Sequence, residues 1–245
     1  MARKIPIFAY HRVHPDDEVT ITGDLGRISL STFRQQIDYL VQEEVELVAH
    51  DQIADWLYDG HELPQRCVGI DFHDNRLNVF EHAFPLFVRH GLRATVPVIT
   101  NLADGKEVFG PNDFPAMGWD HLAELRDAGW CITPHTRQHL RLAGPEPMPK
   151  DDEELWDELR ESRRIVAEKM GIDAPYFAYP SGSWNHRIEG MVKQVYQTAL
   201  HWHVDMTPDE WPLATERTNP YRLTGINVSD SMPLETFRNI VDLAC

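Results

Sequence analysis

A chain of 245 residues, 42% of them hydrophobic, has apolar material for one α/β domain of barrel size or two smaller ones, and no apolar run approaches the roughly 20 residues that span a bilayer. The formal charge of −16, from 39 acidic against 23 basic side chains, excludes the clustered Lys and Arg on which nucleic acid or an anionic membrane surface would be held. Met1-Ala2-Arg3-Lys4 leads into a strand-like segment with no apolar leader, so a cytoplasmic location is expected, and Cys67, Cys131 and Cys245 are too few and too scattered for a disulfide framework.

Strand-like runs alternate with helical periodicity, the pattern of repeated βα units and a parallel sheet or barrel. Ile5 to Tyr10 reads as the first strand, followed by a helix begun near Ser31 with Phe33, Ile37, Leu40 and Val41 on one face. Glu46 to Ala49 is a short strand, Ile53 to Leu57 a brief helix, and Cys67 to Phe72 a strand apolar on both faces, as a buried parallel strand is. Phe80, Phe84 and Phe87 mark a helix ending near Gly91, and Ala94 to Ile99 a strand rich in β-branched residues. Asn101 to Gly118 holds Gly and Pro without periodicity and is expected to be a loop over one end of the barrel. Trp119 to Ala128 is a helix stopped by Gly129, Trp130 to Pro134 a strand, and about Asp151 to Met170 an acidic helix whose charge suits a solvated face. Tyr176 to Tyr179 is a strand, Ile188 to Tyr196 a helix, Thr198 to Val204 a strand and Gly225 to Val228 the last one. With no linker long enough to force a division, residues 1–245 read as a single domain.

The chemistry gathers where these strands end. His135 and His139, four residues apart after an apolar strand, together with Asp74 in Ile70-Asp71-Phe72-His73-Asp74-Asn75, make the two-histidine, one-carboxylate set common to catalytic zinc sites that keep a position open for water. One HxxxH among 13 histidines arises readily by chance, but His11, His73, Asp74, His135, His139 and Ser181 all fall at or just after strand ends, where parallel α/β architectures collect their reactive groups. His201 and His203 alternate along one strand and so share a face; on a barrel-lining face they become candidates for the acid that protonates a leaving group. His11 and Trp184 are candidate substrate contacts, and His50, His61, His82, His90, His121 and His186 are expected at the surface.

With these motifs in this order, the chain resembles the polysaccharide deacetylase family, carbohydrate esterase family 4, also called the NodB homology family. Ile5-Pro6-Ile7-Phe8-Ala9-Tyr10-His11-Arg12-Val13 is similar to the opening strand of many members, and Pro134-His135-Thr136-Arg137-Gln138-His139 to the metal-binding H-S/T-x-x-H or H-S/T-x-x-x-H motif. Phe177-Ala178-Tyr179-Pro180-Ser181-Gly182-Ser183-Trp184-Asn185 resembles a third motif written F-A-Y-P-Y-G-S-Y-N in one branch. The resemblance implies a distorted (β/α)7 barrel, a divalent ion, usually zinc, held by Asp74, His135 and His139, and removal of acetyl groups from N-acetylated sugars. It also implies an oxyanion donor at the Ser181 N–H. Tyr179 and His201 are further candidate substrate contacts.

The first motif departs from the family. Members read T-F-D-D-G, whereas here Asp71-Phe72-His73-Asp74-Asn75 puts His73 in place of the base aspartate and Asp71 in place of threonine. Three readings stand side by side: His73 is the general base, suited by an ordinary pKa near about 6.5; it is a fourth metal ligand; or deacetylase chemistry has been lost and a metal pocket kept. Asp71, two residues earlier on an extended chain, is placed to orient the His73 ring, or is a buried partner for some other group. The leading expectation is a metal-dependent hydrolase of C–N amide bonds acting on an N-acyl amino sugar or a related small soluble substrate. The alternatives are a relative diverted to another metal-dependent reaction and a non-catalytic binding module on the same barrel. Neither nucleic acid nor a membrane is expected as partner, and homo-oligomerisation is left open.

Overall fold

The computed structural model describes residues 3–18, 26–106, 108, 114–146, 148–203 and 211–244, with the His203 side chain outside that set. In chain order the elements are β1 (Ile7–Tyr10), β2 (Arg12–His14), β3 (Arg27–Ser29), α1 (Leu30–Gln42), β4 (Glu46–Val48), α2 (His50–Asp59), β5 (Cys67–Phe72), α3 (Phe84–His90), β6 (Thr95–Val98) and α4 (Thr100–Ala103). They continue with α5 (Trp119–Asp127), β7 (Cys131–Pro134), α6 (Asp152–Met170), β8 (Tyr176–Ala178), α7 (His186–Val192), β9 (Thr198–His203), β10 (Leu223–Asn227) and α8 (Leu234–Val241).

All ladders of the main sheet are parallel, in the order β7-β6-β5-β1-β10-β9-β8, with β4 beside the first half of β5. β7 and β8 meet at the seam, where the His135 ring Nδ1 donates to the Ala178 carbonyl at 2.8 Å. The sheet is thus a nearly closed barrel wrapped by helices, in line with the expected deacetylase-type architecture. β5, at its centre, is buried along all six residues. None of the helices among the described residues is long and apolar enough to cross a membrane.

Contacts on the outside of the barrel show which side chains point in. Phe8 lies 4.5 Å, centroid to centroid, from Phe237 of α8, and Tyr10 stands edge-on to Phe33 of α1 at 5.4 Å. Ile7, Ala9 and, past the strand end, His11 therefore face inward. Phe72 packs on Phe33, Phe87 and Trp130, which turns Asp71 and His73 to the interior. α6 shows why such segments are helical: Asp151 caps its N-terminus through a hydrogen bond from Glu154 N, acidic residues fill the first turn, and Gly171 ends it at a φ of 66°.

Three features differ from the sequence expectation. β2 and β3 form a separate two-stranded parallel sheet. The expected loop after β6 begins with the single turn of α4, and α8 closes the C-terminal side by burying Phe237, Ile240 and Val241. All three are short, so each offers too few residues for its period to rise above the background.

Candidate active site

Seven non-glycine residues among those described have a left-handed φ, and five stand in three turns at the C-terminal ends of β5, β7 and β8: Asp74 (69°), Asn75 (36°), Thr136 (63°), His139 (60°) and Ser181 (52°). Each costs roughly 1–3 kcal/mol and persists only where its surroundings over-determine it.

The first turn is held by Asn75. Fully buried, it accepts from Ile99 N at 3.0 Å and donates to Met117 O at 3.0 Å, while its own carbonyl accepts from Met117 N at 2.7 Å. Asparagine also tolerates a left-handed backbone better than most residues, at a position where the family pattern has glycine. The second turn is held from two sides. Thr100 N and Asn101 N donate to the Thr136 and Arg137 carbonyls at 3.2 and 3.0 Å, and Thr136 Oγ1 accepts from His139 N at 3.1 Å. From α6 the buried Glu158 carboxylate takes Arg137 N at 2.7 Å, Gln138 N at 3.0 Å and Gln138 Nε2 at 2.8 Å. Burial pushes this carboxyl up, and those three bonds work against the shift.

These turns bring Asp74 Oδ1 to 3.5 Å from both His135 Nε2 and His139 Nε2. One ligand atom from each of the three residues lies within 4.8 Å of the others. Because His135 Nδ1 donates to a carbonyl, its Nε2 carries the lone pair. A lone pair and a carboxylate oxygen facing each other are repulsive unless a cation or proton lies between, and Asp74 Oδ1 is buried with no hydrogen-bond partner. The residues therefore fit a divalent ion. The other Asp74 oxygen is 3.3 Å from Arg76 Nη2, and the Arg76 guanidinium lies 4.0 Å above the Phe114 ring. Burial alone would raise the Asp74 carboxyl, but positive charge facing it, whether a proton shared with His135 or carried by His139 or the Arg76 guanidinium, holds it well below the usual carboxylate range.

The match to known proteins is now decisive: residues 60–199 fit the family model described as polysaccharide deacetylase. The chain belongs to the polysaccharide deacetylase family. It is similar to YxkH of Bacillus subtilis, at 22% identity over 234 residues that cover 96% of this chain and 75% of the relative. It is also similar to a poly-beta-1,6-N-acetyl-D-glucosamine N-deacetylase of Staphylococcus aureus, 22% identical over 207 residues, 83% of this chain and 68% of that one. Among solved structures, the Streptococcus pyogenes deacetylase PplD in complex with acetate superposes with a TM-score of 0.80 at 19% identity, covering 98% of each chain. At such identity the structural likeness speaks for the fold, and the fold is the polysaccharide deacetylase barrel.

Within this family member, the departure at the first motif has a definite geometry. His73 is fully buried and neither ring nitrogen has a hydrogen-bond partner. Its ring stacks on His11 at 5.1 Å and meets His135 edge-on at 5.3 Å, outside the three-residue cluster of ligand atoms. Burial first, then His11 and His135, push its pKa well below the ordinary imidazole value, so the ring is neutral at pH 7. His11 is likewise lowered to about 4, mainly by burial.

Asp71 does not act as an orienting partner for His73 through any contact in the structure. Its carboxylate lies 3.3 Å from Nε2 of His50, and both residues are 1% exposed. His50 is therefore no surface residue: as the first residue of α2 it enters the barrel, with its N–H on Thr95 Oγ1 at 3.1 Å.

The third turn puts Ser181 just past the end of β8. Gly182 N and Ser183 N make the turn's bonds to Tyr179 O and Pro180 O at 3.0 and 2.9 Å, leaving the Ser181 N–H outside that pattern. Tyr179 needs correction as a substrate contact, for its ring is buried against Phe177 and its hydroxyl donates to Tyr221 O at 3.3 Å.

The expected face of β9 is corrected too. Gly225 pairs with Trp202, and a Cβ at Gly225 would sit 3.1 Å from the inward Ala9 Cβ and 3.6 Å from the Trp202 Cβ. Trp202 therefore faces the interior, edge-on to His11 at 5.1 Å. His201 takes the other face, with Nε2 3.1 Å from Thr224 Oγ1 and its ring 5.9 Å from Trp184. His203 pairs with Ile226 through the backbone, and its side chain lies outside the described residues. Trp184 is half-buried under the Arg222 guanidinium, 4.2 Å from its ring centroid.

Asn75, Arg76, His50 and Glu158 escaped the sequence reading. Glu158 alone had a detectable signal, as the one acid within the Leu155, Leu159, Ser162 and Val166 stripe that α6 buries.

Proposed function

We propose that this chain is a metal-dependent N-deacetylase of an acetylated amino-sugar polymer, with Asp74, His135 and His139 as its metal ligands. The observation that carries the reading is the orphaned Asp74 Oδ1 facing two imidazole nitrogens at 3.5 Å. Support for the substrate class comes from the named substrate of the Staphylococcus aureus relative. A divalent ion bound there, with zinc favoured by the two-imidazole, one-carboxylate set, supplies Lewis acidity and an acidified water. His73, neutral and buried beside the proposed ligands, takes the proton as water attacks the acetyl carbonyl carbon; its lowered basicity makes it a weak acceptor but, once protonated, a strong donor that returns the proton to the nitrogen as the C–N bond breaks. Acetate and a free amine leave. The Ser181 N–H supplies a fixed donor to the oxygen that becomes negative in the transition state, where such a donor is worth most.

The test is acetate release from N-acetylglucosamine oligomers by zinc-loaded protein. His73→Ala is expected to retain zinc and lose roughly 10²–10⁴-fold in rate. A variant of unchanged rate removes His73 from the chemistry. Zinc uptake without acetate release from any N-acetyl sugar favours a diverted reaction, and a native protein that takes up no divalent ion favours a binding module.

A further inference from the structure

Glu158 sits on α6, away from the three ligands, yet the loop between His135 and His139 hangs on it. One oxygen accepts both consecutive backbone N–H groups of that loop, Arg137 at 2.7 Å and Gln138 at 3.0 Å, and the other accepts Gln138 Nε2 at 2.8 Å. The residue is 0% exposed. Thr136 and His139, which flank these two N–H groups, are both left-handed, so the segment that sets the distance between the imidazoles is conformationally costly by itself. The neighbouring Arg137–Asp157 ion pair is part-exposed, and salt bridges of that kind hold little.

We propose that Glu158 is a positioning residue that sets the metal affinity of the Asp74–His135–His139 site by holding the backbone between its two histidines. The proposal rests on the metal reading given above. It is a matter of reach and acceptor geometry, and it makes a distinction that charge alone does not. Glutamine keeps an oxygen at the same reach for both backbone N–H groups, and the Gln138 amide can turn to face the new NH2. Aspartate keeps the charge but is one methylene too short to hold both.

The experiment is zinc titration of chelator-stripped full-length protein, wild type against Glu158→Gln, Glu158→Asp and Glu158→Ala, with amide hydrogen exchange at Arg137 and Gln138. Aspartate and alanine are expected to weaken zinc by about tenfold or more, the scale found for groups that orient metal ligands, while glutamine stays within about threefold. Exchange at the two amides is expected to speed up in the same two variants. Should alanine fail to fold, the Asp and Gln pair still carries the test. Aspartate matching wild type while glutamine weakens zinc overturns the proposal in favour of charge, and equal affinity in all variants reduces Glu158 to a structural residue. Wild-type protein that binds no zinc overturns the metal reading itself and this proposal with it.

Discussion

Replacing Asn75 by alanine probes how the turn that carries Asp74 is held. The substitution leaves Ile99 N–H and Met117 C=O, both satisfied at 3.0 Å by the amide, without partners in a fully buried place. An orphaned buried group costs roughly 1–3 kcal/mol, and a left-handed backbone costs alanine about 1 kcal/mol more than asparagine. The expected loss is therefore roughly 3–7 kcal/mol, a large part of the 5–15 kcal/mol that typical domains possess. Urea unfolding of metal-stripped protein, followed by tryptophan fluorescence, should show a lower midpoint with an unchanged slope. Asn75→Gly, which restores the family residue, should recover only the backbone share of about 1 kcal/mol, because both groups stay orphaned. An alanine variant within about 1 kcal/mol of wild type would refute the assignment of Asn75 as the turn's anchor.

Two other perturbations read the site's surroundings. In Gly182→Ala, at a φ of 63°, the new Cβ would lie 2.4 Å from the Trp202 carbonyl oxygen, so the Ser181 turn must move. Thermal unfolding should register a loss of about 1–3 kcal/mol, and deacetylase rate should fall with it; a variant with wild-type stability and rate contradicts the close packing. Stability should also depend on pH through His11, whose folded value of about 4 lies below the ordinary 6.5. Below pH 6.5 the unfolded chain binds a proton that the native one refuses. Stability is thus lost as pH falls from about 6.5 toward about 4, on the order of 2 to 3 kcal/mol by pH 4.5. Metal-stripped His11→Gln should lose correspondingly less between pH 7 and 4.5, and an identical loss in both proteins would show that His11 titrates normally.

The alternation of strand and helix periods in the sequence was enough to expect a parallel barrel, because burial on both faces of a strand such as Cys67–Phe72 writes itself as a continuous apolar run. The Asp74, His135 and His139 cluster was legible for a related reason. His135 follows directly on the end of β7, Asp74 lies two residues past the end of β5 and His139 lies within the turn after His135, so local geometry carries them to one rim of the barrel. The charge of α6 suits a solvated face, and only the spacing of Glu158 within the Leu155, Leu159 and Ser162 stripe marks it as buried; that it meets a loop twenty residues earlier is decided by the fold.

His201 and His203 mark the boundary between the two kinds of information. Alternation along β9 determines that they share a face, and the sequence shows this unaided. Which face lines the barrel is decided by the register of Trp202 on Gly225 and by the closeness of Gly225 to Ala9, and a period of two has no sign. His50 teaches the same lesson. The sequence determined that it follows a short strand, and only closure of the sheet placed it beside Asp71, because a buried carboxylate needs a partner and draws it from whatever element the fold brings near.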